Sequence, residues 1–206
     1  MARPQSPDYD KRRDAIIAAA AHLYAGQGFS GASISDLAKA CGSSKSLVYH
    51  YFPSKDDILY EVMAAHLDAL VRAAEEAMQA GDARDRVHAL TLAFMRLYVG
   101  AQDQHKVLLN ELDNLPPARR AQVVAKQRRI IAIVEGLARE IRPELNPVTL
   151  PVTMLFFGMI NWTHTWFRAR GHISPEQLAD MTVDLLLGGL QKVEVGSRRD
   201  AERQRG

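Results

Sequence analysis

The stretch Cys41-Gly42-Ser43-Ser44-Lys45-Ser46-Leu47-Val48-Tyr49-His50-Tyr51-Phe52, closed by Pro53, decides how this chain is read. Ser43 and Ser44 follow a turn-permitting glycine, and a serine hydroxyl can accept from an orphan backbone N–H at a helix start. A short helix therefore begins there. Val48, Tyr51 and Phe52 recur at helical spacing and can turn inward, which leaves Lys45, Ser46, Leu47, Tyr49 and His50 toward solvent or a partner. That outer set suits a DNA major groove. Lysine and the hydroxyls can meet phosphates or base edges, Leu47 can pack on a thymine methyl, and N–H groups at a helix start favour a phosphate. The competing reading is the solvated face of an ordinary helix, and the flanking sequence decides between them.

Upstream, Ser33-Ile34-Ser35-Asp36-Leu37-Ala38-Lys39-Ala40-Cys41 predicts another short helix, with Ser33 as cap and Asp36 as the shortened acid of a capping box. Ile34, Leu37 and Ala38 form its apolar stripe. Two short helices joined through Gly42 make a helix-turn-helix. A first helix from about Asp10 to Gly26 offers Ile16, Ala19, Ala20 and Leu23 as a cover for that pair, with Phe29 closing the small core. Residues 1–8 are expected to be a mobile arm.

With these residues in place the chain resembles the TetR family of one-component transcriptional regulators. The resemblance is carried by Gly28-Phe29, by Ser33 to Ala38, by Ser44 to Phe52 and by Lys55-Asp56-Asp57-Ile58-Leu59, and it covers about residues 10–68. Ser43 stands where the family often has an apolar residue, and Ser46-Leu47 replace a common Gly-Thr pair. These departures leave the operator sequence open. The resemblance implies double-stranded DNA as partner, Lys55 as a phosphate contact, and Ser33, Ser44, Lys45, Ser46, Leu47, Tyr49 and His50 as the remaining DNA-binding residues.

The 206 residues can bury a sizeable core, and the net charge of +2 argues against a diffuse polycation. Residues 1–60 hold seven basic side chains against six acidic ones, so DNA contacts must be few and aimed. The one cysteine, Cys41, cannot form an intrachain disulfide and reads as a small buried residue, which fits a reducing cytoplasm. Lys11-Arg12-Arg13 before an Ala/Ile run mimics a signal peptide, but Asp14 and the lack of a cleavage site favour an amphipathic helix. The apolar run 148–167 contains Pro151, Asn161 and His164 and predicts a buried helix with no membrane span. The seven histidines show no metal-ligand spacing, and neither a nucleophile elbow nor a phosphate loop is present, so neither an enzyme nor a cofactor or metal is expected.

Beyond Pro53 the pattern stays helical, without strand alternation. Ser54 caps a helix to about Ala80; further helices are expected over 84–100, 105–115, 116–141, from Pro147 or Val148 to Arg170, and from Ser174 to about Val193. The predicted fold is all-α, with about nine helices. A three-helix DNA-binding domain spans 8–68, a helical effector-binding and dimerisation domain 69–195, and a disordered tail 196–206.

Leu155, Phe156, Met159, Trp162, Trp166, Leu186, Leu187 and Leu190 exceed what one neighbour can cover, which predicts a homodimer through the last two helices. Two-fold symmetry would present two recognition helices to a palindromic operator with half-sites roughly one helical turn apart. Phe157, Asn161, His164 and Arg168 share one face of the expected eighth helix and suit a small molecule with an apolar body and a polar end. Phe94, Tyr98 and Leu109 are candidate opposite walls; the alternative makes Asn161 and His164 satisfied core polars or part of the dimer seam. The helix over 116–142 carries seven basic residues, Arg128 and Arg129 among them, against two acids: a solvated face or a site for an anionic ligand. Asn161-Trp162-Thr163-His164-Thr165-Trp166-Phe167, with Gly171 and Ser174-Pro175-Glu176, resembles a subgroup answering to acyl-coenzyme A thioesters. That resemblance implies an acyl-coenzyme A effector, with Arg128 and Arg129 toward its phosphates. A same-fold DNA-binding protein without an effector, acting in chromosome organisation or cell division, is the alternative.

Overall fold

A computed structural model describes residues 7–168 and 171–193, all of whose regular structure is helical. The expected mobile arm over 1–8, apart from its last two residues, and the expected disordered tail lie outside the described residues. The helices are α1 (Pro7–Gly31), α2 (Ile34–Ala40), α3 (Lys45–Tyr51), α4 (Lys55–Ala77), α5 (Ala83–Gly100), α6 (Gln102–Asn110), α7 (Pro117–Ile141), α8 (Thr149–Asn161), α9 (Thr163–Trp166) and α10 (Pro175–Leu190), with 3-10 turns at Leu112–Asn114 and Pro143–Val148. Two compact units result. Among the described residues, one comprises those up to Ala69 with Gly100–Gln127, the other Leu70–Val99 with those from Arg128 onward.

In the first unit α1 buries Ile16, Ile17, Ala20, Ala21, Tyr24 and Ala25, whereas Ala19 and Leu23 of the predicted stripe are half-buried. It starts earlier than expected, at Pro7, and runs past Gly26 to a kink at Gly28, where φ is 76° and ψ 160°. Only glycine adopts that region without strain, so Gly28 ends the regular helix. The edge of Phe29 then meets the Tyr24 ring at 5.4 Å. Leu37 of α2 and Val48 of α3 complete this core with Phe52, Ile58 and Leu59, all of them buried. Helix α6, which a division at residue 68 assigns to the effector domain, clusters with these helices because it packs along α1, where Asp103 meets His22 at 3.0 Å.

In the second unit the expected eighth helix is broken. It stops at Asn161, a single turn follows at Thr163–Trp166, and Phe167 is extended. Three side chains in succession bond carbonyls three residues back: Thr163 Oγ1 to Ile160 (2.6 Å), His164 Nδ1–H to Asn161 (2.6 Å) and Thr165 Oγ1 to Trp162 (2.8 Å). Such bonds compete with the helical ladder for the same acceptors. The single face expected for Phe157, Asn161, His164 and Arg168 is therefore interrupted. Ser174 opens α10 as predicted, its hydroxyl accepting from the Gln177 N–H while the Gln177 side chain takes the Ser174 N–H.

Candidate nucleic-acid interface and effector cavity

Helix α2 is held by a reciprocal cap. Ser33 Oγ accepts from the Asp36 N–H at 3.2 Å, and the Asp36 carboxylate takes the Ser33 N–H at 3.0 Å and its hydroxyl at 2.5 Å. These bonds from Ser33 hold the Asp36 carboxyl below the usual carboxylate range. The turn between the helices follows from one residue. Gly42 has φ 58°, and around it Gly42 N–H donates to the Lys39 carbonyl (3.1 Å) and Ser43 N–H to that of Ala38 (2.8 Å). This is the left-handed cap that closes a helix while satisfying its last carbonyls. Ser44 then caps α3, accepting from the Leu47 N–H at 3.2 Å.

With both ends fixed, the faces of α3 separate. Val48 and Phe52 are buried, while Ser44, Lys45, Ser46, Tyr49 and His50 are exposed and Leu47 is half-buried. Tyr51 is also half-buried, its ring 4.5 Å from that of Tyr9 on α1. Of the residues of this segment expected to meet DNA, Ser44, Lys45, Ser46, Tyr49 and His50 are therefore exposed, and Leu47 is only partly so. A cleft beside it, lined by Arg12, Ile16, Cys41, Ser43, Leu47 and Tyr51, joins α1 to the α2–α3 turn. Arg13 braces the far end, paired with Glu61 of α4 and lying 5.4 Å from the Phe52 ring centre.

Lys55 is placed differently from the rest. It is half-buried, its ammonium donates to the Phe29 carbonyl, and the Phe29 ring centre lies 4.1 Å away. This ammonium ties the start of α4 to the end of α1. Next to it, Asp57 accepts from the Ser54 hydroxyl (2.7 Å) and from Arg119 of α7 (2.8 Å), and these donors, Ser54 first, hold its carboxyl below the usual range. Arg119 also lies 4.2 Å from the Tyr60 ring centre. Deeper in the same unit, His66 of α4 and His105 of α6 are buried with Nε2 and Nδ1 3.2 Å apart. Burial pushes the His66 imidazole down to about 4.

The basic helix α7 distributes its charge among partners. In the first unit Lys126 meets Asp68 at 2.6 Å and Arg120 meets Asp113 at 2.7 Å; in the second Arg129 pairs with Glu75 and Arg142 with Glu144 at 2.7 Å. Arg128 and Arg129 are both exposed. The sequence pattern shows the basic side chains but not the acids of α4 that face several of them.

The second unit contains a cavity among α5, α7, α8 and α10, lined by Val87, Leu137, Val152, Phe156 and Leu190 together with Thr153. It is tight, with about 10 Å³ for the centre of a water-sized sphere, room for about one water. None of the pocket residues expected from sequence lines it. Phe94 and Tyr98 are buried, with ring centres 6.0 Å apart, and Tyr98 O–H donates to Asn161 Oδ1 at 2.9 Å. That bond joins two of the expected residues in the manner of satisfied core polars. Phe157 and His164 are half-buried, and Leu109 is exposed in the other unit. Thr153 gave no signal in sequence, since a threonine within an apolar helix is ordinary.

Comparison with known proteins gives two family matches that together cover most of the chain. Residues 16–62 match the family described as bacterial regulatory proteins, tetR family, and residues 80–190 the tetracyclin repressor-like C-terminal domain. A TetR-family transcriptional regulator from Bordetella parapertussis 12822 is 39% identical, with a TM-score of 0.83 over 89% of this chain and 98% of that one. AibR, solved in complex with isovaleryl coenzyme A and operator DNA, is 25% identical, with a TM-score of 0.77 over 85% and 98%. The HTH-type transcriptional repressor KstR2 of Mycolicibacterium smegmatis is 25% identical over 199 residues, 91% of this chain and 95% of that one.

Proposed function

The chain belongs to the TetR family of DNA-binding transcriptional regulators, and we propose that this member is a repressor released from a palindromic operator by a small molecule of the acyl-coenzyme A thioester class. The observation that carries the reading is the exposed face of α3, rigidly capped by Ser44 and free of packing duties. On it Lys45 and Tyr49 meet phosphates, Ser46, Leu47 and His50 read base edges, and Ser33 and Ser44 contact the backbone from their helix starts. Lys55 reaches a phosphate only by leaving the Phe29 carbonyl, so its first duty is to hold α4 against α1.

Residues 8–68 serve DNA binding and residues 69–195 effector binding and dimerisation. The dimer forms through α8 and α10. Leu155 is 71% exposed, Trp162 65% and Leu185 67%, with Met159, Trp166 and Met181 beside them in sequence register, and Gly158, Gly188 and Gly189 leave open space for close approach. Phe156 and Leu190, which the sequence pattern adds to this face, are buried in their own subunit's core. The thioester class is supported by the fold shared with AibR, whose structure holds isovaleryl coenzyme A. Arg128 and Arg129 are the exposed cations that can reach coenzyme phosphates, Arg129 after leaving Glu75.

An effector that binds the second domain better in its DNA-incompetent arrangement empties the operator by its differential affinity, and a few kcal/mol suffices. Selection of bound duplexes from a random pool, repeated with a panel of acyl-coenzyme A compounds, tests the whole proposal. A selected inverted repeat that is released by a thioester is the expected result. An inverted repeat that responds to no thioester favours the second reading, an effector-free DNA-binding protein of chromosome organisation or cell division, which the tightness of the cavity also favours.

A further inference from the structure

Lys11-Arg12-Arg13 sets three cations in succession on α1, and the fold uses them differently. Arg13 is half-buried, paired with Glu61 and set against the Phe52 ring, so it holds α1 to α4. Arg12 instead lines the cleft between α1 and the α2–α3 turn, with Ile16, Cys41, Ser44, Leu47 and Tyr51. Its side chain is 57% exposed, and its ion pair among the described residues is with exposed Asp8, one turn back, at 3.6 Å. That separation is too long for a good hydrogen bond, and exposed pairs of this kind hold weakly.

The cleft is fitted to an anion. Arg12 is the one charged residue among those that line it, so no acid of the lining opposes a negative group. Ser44 Oγ accepts from the Leu47 N–H, which leaves its own hydroxyl hydrogen for another acceptor. The Tyr9 ring, three residues before Arg12, lies 4.5 Å from that of Tyr51 and fixes the start of α1 beside α3. Leu47, on the flank of the exposed α3 face, belongs to the same lining, so the cleft adjoins the surface that enters the groove. Lys55, the cation expected to meet a phosphate from α4, is engaged by the Phe29 carbonyl.

We propose that Arg12 is a phosphate-binding residue of the DNA interface, its guanidinium and the Ser44 hydroxyl clasping one phosphodiester of the strand that borders the groove occupied by α3. The proposal rests on DNA recognition by α3 and brings α1 into it. One guanidinium matches the single charge of a phosphodiester, and Arg12 leaves Asp8 to meet it. Phosphate contacts carry no sequence information themselves but fix register, so Arg12 sets where along the groove α3 meets base edges.

The test uses the full chain and the duplex that it selects from a random pool, with one phosphate at a time replaced by a neutral methylphosphonate. On any duplex, Arg12→Ala lowers the salt slope by about one for each chain bound, and Arg12→Lys keeps the slope. At moderate salt Arg12→Ala loses about tenfold in affinity, with the parent's helix content by circular dichroism. At one backbone position for each bound chain, methylphosphonate weakens the parent about tenfold and Arg12→Ala no further, because the contact is already gone. Lys11→Ala, whose side chain lies outside the cleft lining, keeps the full loss at that position. An unchanged slope in Arg12→Ala, or losses that add at every position as a purely structural role requires, overturns the proposal. Inorganic phosphate that binds the parent at millimolar concentration and not Arg12→Ala also overturns it, since the cleft then belongs to a free anion. A parent chain that binds no duplex at any salt sinks DNA recognition by α3 and this proposal with it, whereas each of the other results leaves recognition standing.

Discussion

Lys45, Ser46, Tyr49 and His50 stand out from α3 because Val48 and Phe52 use up its inward positions, and that division is what each substitution probes. Lys45→Ala or Tyr49→Ala is expected to weaken binding to all duplexes alike and, for Lys45, to lower the salt slope by about one. Leu47→Ala keeps the phosphate contacts and relaxes base preference instead. Competition between selected and scrambled duplexes at two salt concentrations separates the two, and equal losses on every sequence from Leu47→Ala would remove it as a reader. His66 gives a second residue-scale expectation. Its folded value of about 4 lies below the ordinary value of 6.5, so the unfolded chain binds more protons between these two. Stability attached to His66 is complete above pH 6.5 and is lost as pH falls toward 4, by up to about 3 kcal/mol. Urea melts at pH 7.5 and 4.5 should show that loss, and His66→Gln should shrink it; an unchanged pH dependence in the variant would show that other groups carry it.

The helices with strong local signals were legible in the chain because their causes are local. Ser33, Ser44 and Ser174 each sit three residues before the N–H that they satisfy, so the pattern alone carries them. The break after Asn161 was hidden, since Thr163, His164 and Thr165 compete for carbonyls through rotamers that no apolar periodicity records. The cavity was hidden for another reason. Its walls come from α5, α7, α8 and α10, and Phe156 and Thr153 face it while Phe157, their neighbour in sequence, does not line it. Nor could the sequence say that Lys55 would turn to the Phe29 carbonyl or that Arg119 would meet Asp57. At this scale the two turn glycines make the sharpest expectation. Gly42→Ala forces a side chain into the left-handed region at φ 58°, with open space around it, and should cost about 1–2 kcal/mol of stability through the backbone alone. Gly42→Asn should recover part of that loss. Gly28→Ala, at φ 76° and ψ 160°, should cost more than Gly42→Ala because asparagine and alanine alike are excluded there. Thermal melts of the three variants check the order, and a Gly28→Ala chain as stable as the parent would contradict the kink's assignment.

For the whole molecule the central claim is that two copies of this chain present two α3 helices to one duplex. The apolar residues left uncovered on α8, just after it and on α10, namely Leu155, Trp162, Met181 and Leu185, are too many and too exposed to be scattered surface positions. A charge there should dissociate the pair without unfolding either subunit, so Leu155→Glu is expected to yield a folded monomer with DNA affinity reduced at least a hundredfold, checked by light scattering beside circular dichroism. The most direct test is the mass, by sedimentation, of the complex between the full chain and the duplex that it selects from a random pool. Two chains bound to one inverted repeat, with a scrambled duplex left free at moderate salt, is the predicted result. One chain per duplex, or equal binding to the scrambled sequence, would contradict it.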